Sequence, residues 1–151
     1  MLGSILNKST CAECRICCSF VESDAWETPI FTNNDFDYNE EWFKMYGERS
    51  HTLSFSFKHD REIKLCPYLH EKTGCSLKDK DKPFDCKIWP LRLMRKEGEI
   101  VIALSPICKG LGVKDIPKIK DLLNNGLRES IMTHAGESDL IKDYREDWIV
   151  L

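Results

Sequence analysis

The sequence predicts an α+β fold: a small cysteine-rich domain of short antiparallel hairpins and a few helices. Three observations predict it. "HTLSFSFKH" (51–59), and "LRLMRK" followed by "EIVIAL" (91–104), alternate or cluster apolar residues with the period of strands. From Asp115 the period changes, and Ile116, Ile119, Leu122, Leu123, Leu127 and Ile131 recur at helical spacing. The chain also holds eight cysteines, four of them within "CAECRICC" (11–18).

The elements follow in order. The first ten residues read as an arm entering a cysteine loop. "TPIFT" (28–32) is rich in β-branched and aromatic residues and predicts a strand. Asn33 or Asn34 is placed to cap a helix over "DFDYNEEWFKMYG", with acidic residues early, Lys44 late and Gly47 at its end. Phe36, Trp42, Phe43 and Tyr46 would lie near its core-facing side.

Leu53, Phe55 and Phe57 alternate with Thr52, Ser54, Ser56 and Lys58, as in a half-buried strand. "REIKLCP" is expected to pair with that strand as a hairpin. A second hairpin turns near Glu97-Gly98. Pro117 suits the first turn of the late helix, and Gly126 interrupts it at a cost of about 1 kcal/mol relative to alanine. The tail "ESDLIKDYREDWIVL" ends as a short helix or a strand. "KDKDK" (78–82) reads as a solvated loop. The sequence holds no internal repeat and no low-complexity tract.

A chain of 151 residues, 42% hydrophobic and 31% charged, suits one folded domain over 1–151. A net charge of −3 gives no bulk positive charge to drive a nucleic-acid surface. "MLGSILNKST" lacks the basic and apolar regions of a signal peptide, and no apolar run is long enough to span a membrane. The expectation is a cytoplasmic protein with no membrane or nucleic-acid partner, and with room for a protein partner. Thiols stay reduced in that compartment, so cysteines there serve as metal ligands more often than as disulfides.

The cysteine spacing is C-x2-C-x2-C-C from Cys11, followed by Cys66, Cys75, Cys86 and Cys108. Structural zinc sites draw four thiolates from paired C-x2–4-C knuckles. Cys11 and Cys14 form such a pair, but the later cysteines do not, so zinc would need dispersed ligands. A C-x2-C-x2-C run also begins a bacterial ferredoxin loop, where each thiolate binds a different iron. Cys66-Pro67 resembles the remote Cys-Pro ligand of those sites. Adjacent Cys17 and Cys18 would strain to bind one metal atom together, so they serve two metals, or one binds while the other supports it. A lone buried cysteine is a small hydrophobe, and Cys108 by itself reads that way as readily as a ligand.

Taken together, CxxCxxCC, "CPYL", "GCSL", "KPFDCKIWP" and "CKGLG" resemble the YkgJ-type cysteine-cluster family, a zinc- or iron-chelating domain. The match runs from Cys11 to Gly112. Lys82, Lys87 and Lys109 depart from the arginine, arginine and proline of the family pattern, and the Cys75–Cys86 gap looks a residue long. Lysine lacks the planar fork of arginine, so an anion clamp there is not carried over. The resemblance implies metal chelation with Cys11, Cys14, Cys17, Cys18, Cys66, Cys75, Cys86 and Cys108 as candidate ligands. It also implies kinship with iron–sulfur-dependent lysine N-methylases that modify flagellin. Those enzymes are much longer, and this chain has no glycine-rich strand–turn–helix to cradle a nucleotide-like cofactor.

His70 lies between Cys66 and Cys75 and is able to replace a thiolate, although an exposed loop histidine is the plainer reading. His51 and His59 bracket a strand and read as surface residues. A protease-like cysteine nucleophile needs one activated thiol beside a base, a poor match to this spacing. Tyr68, Phe84, Ile88 and Trp89 flank cysteines and suit an apolar sheath. The favoured cofactor is an iron–sulfur cluster of the 4Fe-4S type, in a redox or accessory role. The alternative is zinc in a structural or protein-interaction module.

Overall fold

A short strand needs partners and packing to be stable, and the computed structural model shows which segments supply them. It describes residues 2, 5, 6, 8–32, 36–134 and 141–151. The predicted α+β class is the observed one. The chain divides into two compact units: Cys11–Lys87, and Met1–Thr10 with Ile88–Leu151.

The unit Cys11–Lys87 begins within helix α1 (Lys8–Cys14), followed by a 3-10 turn over Ile16–Cys18. Strands β1 (Ser19–Phe20), β2 (Ile30–Phe31), β3 (Phe43–Gly47) and β4 (Ser50–Leu53) come next. Then follow β5 (Lys64–Leu65), β6 (Leu69–His70), β7 (Gly74–Cys75) and helix α2 (Phe84–Ile88). β2, β4 and β3 make an antiparallel sheet in that order, β1 pairs with β5, and β6 with β7. Strands this short bury little by themselves. Aromatic packing joins them: Phe20, Phe31, Phe43 and Leu53 are buried, with Phe36, Tyr38, Phe55, Phe57, Cys66, Tyr68 and Leu77 against them. Phe31 meets Phe43 edge-on at 5.0 Å between ring centroids, a favoured aromatic geometry.

Three expectations change here. The helix over 35–47 is not formed: residues 36–42 run through bends and turns into β3. Its proposed caps, Asn33 and Asn34, lie outside the described residues. Phe43 is instead buried while Lys44, Met45, Tyr46 and Gly47 face out, because pairing with β4 and contact with Phe31 outweigh a helical pattern. "HTLSFSFKH" is a strand only through Leu53, although Phe55 still packs on Phe20 at 5.3 Å. "REIKLCP" does not pair with it; β5 pairs with β1, Ser19 opposite Leu65.

In the other unit, β8 (Leu91–Lys96) and β9 (Glu99–Leu104) form the predicted hairpin. Helices α3 (Ile116–Leu122) and α4 (Arg128–His134) follow. β10 (Lys142–Asp143) and β11 (Ile149–Val150) complete a sheet in the order β10-β8-β9-β11. The tail thus ends as a strand. α3 and α4 are separated by a wide turn over Leu123–Leu127 with non-helical backbone at Asn125 and Gly126, where the sequence predicted a break. Ile119, Leu123, Leu127 and Ile131, every fourth residue, are nonetheless all buried. Leu91, Leu93, Met94, Ile102, Ala103 and Leu104 are the sheet's buried residues.

The β8–β9 turn is the tight two-residue kind. Lys96 pairs with Glu99, and both central residues have positive φ, 53° at Glu97 and 88° at Gly98. A Cβ at Gly98 would touch nothing within 4 Å, so its substitution cost is conformational. Gly98→Ala is expected to destabilise the protein by about 1 kcal/mol, while Glu97→Asn, better suited to positive φ, gains a few tenths. Phe31→Ala should cost about 3–5 kcal/mol. Urea unfolding followed by circular dichroism measures all three.

Candidate metal centre

Backbone geometry determines where the sulfurs go. α1 places Cys11 and Cys14 three residues apart on a helix rather than in a loop. The helix ends at Arg15, which adopts the left-handed conformation (φ 58°). The chain then winds through Ile16–Cys18, and the Arg15 carbonyl accepts hydrogen bonds from the Cys18 amide (2.9 Å) and the Ser19 hydroxyl (2.9 Å). This reversal sets Cys17 and Cys18 apart from the helical pair.

Cys66 is brought in by strand pairing. With Ser19 opposite Leu65, the next residues of the ladder are Cys18 and Cys66, and the Cys66 amide donates to the Cys18 carbonyl at 2.8 Å. Cys66-Pro67-Tyr68-Leu69 closes a β-turn, the Leu69 amide donating to the Cys66 carbonyl at 2.9 Å, with proline at the position such turns favour. The turn leads into β6, whose partner β7 carries Cys75 opposite Leu69.

The β6–β7 hairpin is tied to α1 in two ways. The Arg15 guanidinium donates to the Ala12 carbonyl (Nε, 3.1 Å) and to the Glu71 carbonyl (Nη2, 2.9 Å). Gly74 packs against α1, where an added Cβ would lie 3.5 Å from the Ala12 backbone, and its φ of +78° suits glycine.

The result is a convergence of thiols. The Cys17 and Cys18 sulfurs are 4.0 Å apart. Cys18 hydrogen-bonds to Cys17 and to Cys66, and Cys75 feels the charges of Cys66 and Cys17. Two of the sulfurs also accept backbone amides two residues ahead: Tyr68 N–H donates to Cys66, and Leu77 N–H to Cys75. Amide bonds to sulfur favour the thiolate.

These contacts divide the thiols electrostatically. Cys66 is held below the ordinary thiol range, first by the Cys18 thiol and then by the Tyr68 amide, against the effect of burial. Cys18 is pushed far up by its bonds to Cys17 and Cys66 and by burial. Burial raises Cys75, and the Leu77 amide opposes this. Lys82 is disfavoured as a cation by burial, but Asp79 at 2.8 Å, with Cys75 and Cys86 nearby, raises it overall.

Cys17, Cys18 and Cys66 are therefore the predicted residues whose sulfurs the structure links by hydrogen bonds, with Cys75 near enough to feel the charges of Cys66 and Cys17. Cys86, on α2, shares Lys82 with Cys75. Cys108 belongs to the other unit, half-buried in the segment after β9, with its sulfur 3.8 Å from where a Cβ on Gly110 would stand. All eight cysteines are thiols. Among the described residues, no three Cys, His, Asp or Glu side chains stand ready-made as ligands of one metal ion. Protonated thiols meet at hydrogen-bonding distance; the thiolate is the form that binds metal.

His70 is exposed, and its Nδ1 accepts the Lys72 amide at 3.3 Å. His51 is not a surface residue: it is half-buried and stacks on Tyr38 at 3.8 Å. Tyr68 does line the centre, packing in the aromatic cluster beside Cys66. The sequence reading missed Arg15, for which no motif signals a left-handed residue. It also missed the amides of Tyr68 and Leu77, for which Pro67 after Cys66 was the available signal.

Compared with family models, curated proteins and solved structures, the chain gives no match.

Arg15→Ala removes two hydrogen bonds from a solvent-accessible guanidinium and is expected to cost about 1 kcal/mol. Arg15→Gly should cost less, because glycine adopts φ 58° without strain. Urea unfolding in reductant and chelator, so that metal does not contribute, tests this order.

Proposed function

We propose that the chain is a metal-chelating protein whose thiolate centre is nucleated by Cys17, Cys18, Cys66 and Cys75. The supporting observation is the hydrogen-bonded meeting of the Cys17, Cys18 and Cys66 sulfurs from segments distant in sequence, with Cys75 within their field and both Cys66 and Cys75 accepting backbone amides. Such amides stabilise thiolates and tune the metals they hold. Cys11, Cys14 and Cys86 would supply further ligands. Cys108, the eighth cysteine of the ordered pattern that resembles the YkgJ-type cluster family, lies in the other unit.

The first reading is an iron–sulfur cluster of the 4Fe-4S type in a cytoplasmic protein, serving in redox chemistry or beside a modifying enzyme. The ferredoxin-like spacing and Cys66-Pro67 support it. When bound, such a cluster supplies one-electron transfer. The chain's own residues supply thiolate charge, the Tyr68 and Leu77 amides and the apolar cover of Tyr68 and Phe31.

One observation favours a second reading, zinc in a non-catalytic interaction module. Adjacent Cys17 and Cys18 were expected to strain at one ion, yet their sulfurs stand 4.0 Å apart, close to the about 3.8 Å edge of a tetrahedron with Zn–S of about 2.3 Å. A partner of such a module would be another protein. Among the described residues, no helix is long and apolar enough to cross a membrane.

Anaerobic purification with metal and sulfide analysis tests both. A brown protein holding iron and acid-labile sulfide supports the first reading; a colourless protein holding zinc supports the second. In either case Cys66→Ser and Cys75→Ser should lose the metal, with circular dichroism reporting whether the fold is retained. A chain that binds neither iron–sulfur nor zinc, and cannot be reconstituted with either, overturns the proposal.

A further inference from the structure

Cys18 and Cys66 are related by more than proximity. They face each other across the β1–β5 ladder, one step beyond Ser19 and Leu65, and the Cys66 amide bonds the Cys18 carbonyl at 2.8 Å. Opposed residues of a regular hydrogen-bonded strand pair have Cα atoms about 5.5 Å apart and side chains on one face; Cys18 and Cys66 stand at the end of this ladder with one of the two bonds made. Disulfides span about 4.4–6.8 Å between Cα atoms, and the Cys18 and Cys66 sulfurs already hydrogen-bond to each other, so the two are within reach of a bond.

The competing pairs fit less well. Cys17 and Cys18 have sulfurs 4.0 Å apart, but adjacent Cα atoms are about 3.8 Å apart across a trans peptide, below the disulfide range. Cys75 faces Leu69 across its own hairpin, not a cysteine. Of the cysteines near it, Cys18 is the one that hydrogen-bonds to the Cys66 sulfur; Cys17 and Cys75 act on Cys66 through charge.

We propose that Cys18 and Cys66 form a reversible cross-strand disulfide in response to a hydroperoxide, and that its formation expels the metal. The second half rests on the thiolate-centre reading; the first does not. One thiol attacks a peroxide oxygen and the O–O bond breaks. A sulfenic acid forms, and the other oxygen leaves as water or an alcohol. The second thiol then attacks that sulfur, forming the S–S bond as the sulfenic oxygen leaves as water with the thiol proton. Two thiols lose two hydrogens, and the hydroperoxide takes up the two electrons. A dithiol reverses the reaction by exchange. The oxidised pair no longer offers two thiolates, so a metal that used them loses two ligands at once.

Peptide mapping tests this on the full chain. The anaerobically purified protein is treated with hydrogen peroxide, its remaining thiols are alkylated and it is digested with trypsin without reduction. Trypsin releases Cys17 and Cys18 on one peptide (16–44) and Cys66 on another (65–72). The expected result is a linked pair of these peptides that persists in Cys17→Ser, disappears in Cys18→Ser and is removed by dithiothreitol. Metal is lost in step with the link. A disulfide within 16–44, a link from Cys66 to another cysteine, or sulfinic and sulfonic products without a link overturns the inference. If metal is bound but survives complete linkage, the coupling fails while the metal reading stands. If the chain binds no metal, the metal reading and the coupling fail, and the mapping still decides the disulfide.

Discussion

The hydrogen bond from the Cys66 amide to the Cys18 carbonyl is the constraint from which the sulfur centre is built. It extends a ladder that otherwise has two residue pairs and brings together two cysteine segments far apart in sequence. From Cys18 the adjacent Cys17 follows, and from Cys66 the Pro67 turn and the β6–β7 hairpin carry the chain to Cys75. So short a ladder is weak by itself. Phe20 on β1 and Cys66 after β5 both belong to the aromatic cluster, so the packing that holds the unit also holds the register.

Such closeness limits how many of these sulfurs ionise together. Two thiolates about 4 Å apart would repel by roughly 4 kcal/mol at an effective dielectric of 20. The Cys18–Cys66 hydrogen bond avoids this with shared protons: it raises Cys18 and lowers Cys66. Lys82, held by Asp79, offsets charge at Cys75 and Cys86. In the proposed centre a metal would replace the shared protons. The same opposed pair would then account for both metal retention and oxidative release, because either use requires Cys18 and Cys66 on one face.

The two units differ in how far their sequence reveals them. The β8–β9 hairpin, its Glu97-Gly98 turn and the helical row Ile119, Leu123, Leu127 and Ile131 were legible because their partners are near in sequence. The break near Gly126 was legible for the same local reason. The segment 35–47 misled, because Phe36, Trp42, Phe43 and Tyr46 fit a helical face while β4, Phe31 and Tyr68 are what Phe36 and Phe43 pack against. A periodic pattern records which residues want cover, not which element supplies it.

The candidate site shows the same division. By itself, the sequence determined the chemistry: eight thiols in an ordered pattern, with Pro67 set to turn the chain after Cys66. Thiol count, spacing and turn residues are local properties and need no partner. Only the tertiary structure decided which thiols meet. Pairing Ser19 with Leu65 rather than a neighbouring residue puts Cys18 opposite Cys66, and a slip of one residue would turn one of them to the other face. That register is settled by distant aromatic packing and by the left-handed turn at Arg15, neither of which is written in the spacing of the cysteines.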